Sequence, residues 1–142
     1  MHQAPSTALR RALTLLRIFI AAIFIIHAVV RILNGTIGRF GGFLEAHGFV
    51  QGVRLVWGIT VFEIGGGTLL ALGFFRKWLA AGFILLLLIG IVVIHAENGW
   101  FVGEHGTGGI EYSAVLIVAL LVIAADEPPA LAASAPNGAS SR

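Results

Sequence analysis

The chain has 142 residues, of which 58% are hydrophobic and only 11% charged, and its mean hydropathy is +0.96. Soluble domains carry roughly a quarter charged residues, so too few charges are present to cover this much Leu, Ile, Val and Phe in water. Nine basic against seven acidic residues leave a net charge of +2, which supplies no basic stripe and argues against a nucleic-acid partner. Cysteine is absent, which excludes disulfides, thiol–disulfide exchange and an iron–sulfur cluster held by the chain's own thiolates.

In chain order, residues 1–12 form an N-terminal segment carrying Arg10 and Arg11. The first apolar run extends from Leu13 to Leu33, near the roughly 20 residues a helix needs to cross a hydrocarbon core. It reads as a retained span rather than a signal peptide, because it is long and lacks a small-residue cleavage site at the proper distance. His27 and Arg31 near its end are also unusual in a segment destined for removal. The Gly-rich connection from Asn34 to Leu55 keeps Phe40, Phe43, Leu44 and Phe49. It is too apolar for a free linker, and a short interfacial or re-entrant helix near Phe40 to His47 is expected.

The second run is Val56 to Leu72 and the third Trp78 to about His95, joined by the tight turn Gly73-Phe74-Phe75-Arg76-Lys77. The fourth, Ile110 to Ala125, is the shortest and ends at Asp126-Glu127-Pro128-Pro129. Residues 128–142 are rich in Ala, Ser, Pro, Asn and Gly, a composition that cannot bury a core and predicts a disordered tail. The runs are apolar on every side, without strand-like alternation. The expected fold is therefore all-α: an integral membrane up-down four-helix bundle over residues 13–127. Arg10, Arg11, Arg17, Arg76 and Lys77 gather at one end, while Asn98 to Gly109 carries no Lys or Arg. Arg39 and Arg54 oppose this asymmetry, but the balance predicts two cytoplasmic termini.

Ionisable groups inside a span cost several kcal/mol unless paired. His27 and Arg31 stand at i and i+4, on one helix face. Glu63 lies roughly two turns into the second span. His95, Glu97 and Asn98 close the third, and Glu111 and Tyr112 open the fourth. Up-down packing brings His27, Arg31, Glu63, His95, Asn98, Glu111 and Tyr112 into one half of the bilayer, as candidates for ligand binding or proton handling. Arg31 is expected to pair with Glu63, and Arg17 to snorkel to headgroups. Gly65-Gly66-Gly67 either lets helices approach closely or leaves space beside Glu63 for a flat ligand. The spacing of His95, Glu97, His105 and Glu111 matches no zinc signature. His27 and His95 meet only the minimum requirement for bis-histidine haem. No metal site, catalytic residue or intrinsic cofactor is therefore assigned.

These residues together resemble the DoxX family of small bacterial membrane proteins. The likeness rests on the His27-to-Arg31 end of the first span, Leu44-Glu45-Ala46-His47-Gly48-Phe49, and Glu63 through Arg76. His95-Ala-Glu-Asn-Gly-Trp-Phe and Gly109-Ile-Glu-Tyr complete it. Arg31 stands where the family commonly has a basic residue, but the proline that often follows the Gly-Phe of the first loop is missing. The resemblance implies four helices in a bacterial inner membrane. Some relatives are linked to sulfur oxidation with electron delivery to quinone, as in thiosulfate:quinone oxidoreductase. Others resemble accessory members of redox complexes, or escorts of client proteins. Two functions follow as expectations: an accessory or binding subunit of a membrane redox complex, in contact with other membrane subunits, or a quinone-binding, proton-handling component.

Overall fold

The computed structural model describes residues 6–102 and 108–126. The predicted disordered tail and His105 lie outside them, as does most of the connection before Gly108. Every regular element among the described residues is helical. They are α1 (Thr7–Leu33), α2 (Ile37–Ala46), α3 (Gly52–Leu72), α4 (Arg76–Gly90) and α5 (Glu111–Ala125). Past Gly90, α4 continues as a wider π turn over Ile91–His95 and a 3₁₀ turn over Ala96–Asn98.

Three of these segments, Thr7–Leu33, Gly52–Leu72 and Arg76–Asn98, are long and apolar enough to cross a membrane, and α5 is a shorter apolar helix. The surface agrees with that reading. Leu15, Phe19, Ile26, Val61, Trp78, Val92 and Val118 all face outward, an arrangement suited to lipid and costly in water. The protein is a membrane protein.

Local chemistry sets the helix ends. Ser6 Oγ accepts the Leu9 N–H at 3.2 Å and caps α1. Gly73, at φ +89°, ends α3: its N–H reaches the Leu70 carbonyl and the Phe74 N–H reaches that of Leu69, the paired bonds of a Schellman stop. The short helix expected in the first connection is α2. It lies against α3, and Glu45 Oε1 accepts the Gly52 N–H at 2.8 Å to satisfy the first turn of α3.

α1 packs mainly on α3, and α4 mainly on α5, with lighter α1–α5 and α3–α4 contacts. The main core joins Ile20, Phe24, Leu70, Phe83, Leu116 and Leu120. Phe24 and Phe83 stack there with ring centroids 4.1 Å apart. A smaller core of Ile37, Leu44 and Val56, with Phe40 and Val93 against it, fixes α2 over the other end.

The three consecutive glycines divide their roles. A Cβ on Gly67 would lie 2.8 Å from Ile25 Cγ1 and 3.2 Å from the Ala21 carbonyl, so Gly67 lets α1 and α3 approach. A Cβ on Gly66 would meet Leu79 and Phe83 of α4 at 3.4 Å, whereas Gly65 faces open space. Close approach requires glycine at Gly67, whereas a Cβ on Gly66 would make ordinary contact. Gly67→Ala should therefore cost about 1–3 kcal/mol by overpacking, while Gly65→Ala should cost nothing. Unfolding of the two variants in mixed micelles, compared with the parent chain, checks this contrast.

Candidate functional site

The C-terminal third of α1 puts Arg31 against the middle of α3. Its Nη1 donates to Glu63 Oε2 at 2.6 Å and to Thr60 Oγ1 at 2.8 Å. The Thr60 hydroxyl in turn donates to the Val56 carbonyl at 2.7 Å, so its lone pair is left for the guanidinium. Both protons of one nitrogen are thus committed to α3. Arg31 is 8% and Glu63 3% exposed. At such burial neither charge is tolerable without the other. The Phe40 ring, with its centroid 5.7 Å from Arg31 Cζ, covers the guanidinium. The Thr36 hydroxyl donates to the Arg31 carbonyl at 3.3 Å, tying the start of α2 to the end of α1.

Beside this pair is a cavity of about 730 Å³ with a mainly apolar wall. Phe24 and Leu116, members of the main core, form part of the wall, and α2 adds Arg39, Phe40 and Phe43. Five of the seven residues singled out from sequence line it: His27, Arg31, Glu63, His95 and Tyr112. They come from α1, α3, the π turn and α5, so four separate segments converge on one space. Glu63 Oε2 is used by Arg31, whereas Oε1 has no hydrogen bond among the described residues. His95 Nδ1 lies 3.3 Å from the Gly108 carbonyl; donating there, the neutral ring presents Nε2 as an acceptor. A second, shallower cleft of about 430 Å³, lined by Gln51, Arg54 and Phe62 among others, holds none of these groups.

Asn98 and Glu111 do other work. Asn98 Nδ2 donates to the Ile94 carbonyl at 3.0 Å and closes the widened end of α4. Glu111 Oε1 accepts the Val102 N–H at 2.9 Å. Backbone bonds from Ile110 to Gly99 and from Glu111 to Trp100 pin the same connection. Neither side chain belongs to the cavity wall.

A family model described as DoxX matches residues 12–96, more than half of the chain. The chain belongs to the DoxX family. No curated protein and no solved structure matches it. The DoxX match spans α1 to the π turn and so includes His27, Arg31, Thr60, Glu63 and His95, but not α5.

Several wall residues of this DoxX chain carried no sequence signal of their own. Arg39 and Asn34 both line the cavity, although their positions in the connection read as ordinary loop polarity. Thr60, a partner of Arg31 off the wall, stands three residues before Glu63 on the same helix face, and that spacing is the available clue. With the histidines neutral, Arg31 and Arg39 against Glu63 leave one positive charge in excess on the wall. Among the described residues no three His, Asp or Glu side chains gather as metal ligands; of the weighed zinc set, His105 lies outside them.

The pair yields a direct energetic expectation. Removing one partner of a buried ion pair costs about 3–5 kcal/mol, because the other charge is stranded. Arg31→Ala and Glu63→Ala should each destabilise the detergent-solubilised protein by about that amount. The double variant should recover part of the sum, and the double-mutant cycle in unfolding free energy measures that recovery. Simple additivity would mean that the two side chains do not interact.

Proposed function

We propose that this DoxX protein is an accessory, ligand-binding subunit of a membrane redox complex, and that it holds a quinone or a similar flat, lipid-soluble molecule in the cavity beside Arg31 and Glu63. In this reading α5 is the fourth span of an up-down bundle in a bacterial inner membrane. Both termini are cytoplasmic, the cavity occupies the outer half, and other subunits cover part of the lipid-facing surface. The basic residues at the end away from the cavity support that orientation.

The single observation that carries the proposal is the cavity itself. It has the size and the mainly apolar wall of a small-molecule site, with a few convergent polar groups. A flat ring would lie against Phe40, Phe24 and Leu116 of the wall. A carbonyl oxygen of the ring would accept from a donor such as Arg39 or Tyr112. Its reduced, hydroxyl form would donate to the open Glu63 Oε1 or to His95 Nε2. Quinone reduction takes up protons, so a carboxylate and two imidazoles on one wall suit both redox states. Arg31 would hold Glu63 Oε2 and leave Oε1 turned to the ligand as an acceptor. Glu111 takes no part in this reading, because its carboxylate accepts the Val102 N–H.

A second reading has its own support. The Arg31–Glu63–Thr60 network is internally bonded, as expected of a structural lock between α1 and α3. The chain would then serve its complex only through its outer surface.

Ligand retention separates the two readings. Gly90 lines the cavity, and a Cβ there meets nothing within 4 Å. Gly90→Phe should therefore occupy ligand space without disturbing the Arg31–Glu63 pair. Mass spectrometry of protein copurified from native membranes should find quinone with the parent chain and at least about tenfold less with Gly90→Phe, at equal thermal stability. Equal retention, or none in either sample, would leave the structural lock as the better account.

A further inference from the structure

Arg17 was expected to reach out of the membrane towards headgroups, yet it is only 8% exposed. Its guanidinium lies against the α3–α4 turn, so close that a Cβ on Gly73 would sit 3.2 Å from Cζ. Gly73 is therefore needed both for its positive φ and for the room it leaves. Arg17 Nε is buried and has no hydrogen-bond partner among the described residues. Several acceptors at this end of the helices are engaged by another residue. Arg76 donates through Nε to the Gly73 carbonyl at 3.3 Å, and through Nη1 to the Asp126 carbonyl at 2.6 Å and to Asp126 Oδ2 at 3.2 Å.

Two guanidinium groups thus meet at the end of the helices away from the cavity, with Asp126 the one carboxylate there among the described residues. Lys77 is exposed beside Arg76, and Arg10 stands two turns before Arg17 on the same face of α1. A guanidinium has five donors in a fixed fork, and leaving such a cation without acceptors in apolar surroundings is costly.

We propose that Arg17 and Arg76 bind the phosphate of an anionic phospholipid headgroup. A phosphodiester presents two oxygens that match the guanidinium fork. The local excess of positive charge favours a headgroup with net negative charge over a zwitterionic one. Depth favours a lipid over a free anion. Arg17 stands four residues past Leu13, where the first apolar run begins, about 6 Å along the helix axis; a lipid phosphate needs only a short descent to it, whereas a dissolved ion must leave water. Phe74, Phe75 and Trp78 stand exposed around the turn and would lie along the acyl chains. The site is independent of the cavity and of its ligand.

The test titrates the full chain in detergent with phosphatidylglycerol, phosphatidylcholine or inorganic phosphate at matched ionic strength. Native mass spectrometry reads retained lipid, and thermal melting reads protection. The parent chain should retain phosphatidylglycerol about tenfold better than phosphatidylcholine, the order expected for a charge-assisted pair, and inorganic phosphate should not protect it. Arg17→Gln should lose the preference, Arg17→Lys should keep only part of it, and Lys77→Gln should keep most of it. If Arg17→Gln fails to fold, Arg17→Lys decides: an unchanged preference overturns the proposal, as would wild-type retention by a folded Arg17→Gln. Equal retention of the two lipids by the parent chain would mark general lipid contact and also overturn it. Protection by inorganic phosphate matching that of the lipid would assign the site to a free anion instead.

Discussion

A guanidinium and a carboxylate withdrawn from solvent hold each other 2.6 Å apart between α1 and α3, and the rest of the site is arranged around that contact. Neither charge has an affordable alternative at this depth. The contact therefore fixes how α1 lies along α3, and Gly67 lets the two backbones come close enough for it. Thr60 and Phe40 complete the environment of Arg31, one with an oxygen and the other with a ring face. Because α2 supplies Phe40 and is tied to α1 through Thr36, the short helix becomes part of the same construction and closes one side of the cavity.

The two ends of the molecule solve the problem of buried arginine differently. At the cavity end Arg31 has a carboxylate, a hydroxyl and an aromatic face within the chain. At the other end Arg17 is equally buried, and Arg76 engages the Gly73 and Asp126 carbonyls beside it. Between them lies the apolar core around Phe24 and Phe83, which contains no charged residue. That layer separates an internally satisfied cation from one whose Nε has no partner among the described residues. In a membrane the surrounding lipid can supply the missing partner, whereas in water a headgroup would have to compete with solvent.

Much of this was legible in the sequence because the bilayer restricts what an apolar run can do. Runs around His27, Glu63 and His95 had to be helical, and the i, i+4 spacing of His27 and Arg31 fixed their shared face. Glu63, standing between Phe62 and Ile64, demanded a cation, and Arg31 supplies it. What sequence could not resolve depends on side-chain direction. Glu111 and Asn98 lie at the right depth, yet they bond to backbone groups of the loop and of the widened helix end. Arg17 looked like a snorkelling side chain, because the room made by Gly73 at a distant turn has no local signature. The π turn over Ile91–His95 was invisible for a similar reason, since an apolar run reads the same at either helical pitch.

The central claim is that Glu63, held by Arg31, faces the ligand and responds to its redox state. Infrared difference spectroscopy of the complex between oxidised and reduced quinone pools tests it most directly, with Glu63→Gln as the assignment control. A carboxyl band that changes on reduction and disappears in folded Glu63→Gln is the predicted result. A difference spectrum identical in the parent and Glu63→Gln proteins would contradict the claim and leave the pair as a structural clasp.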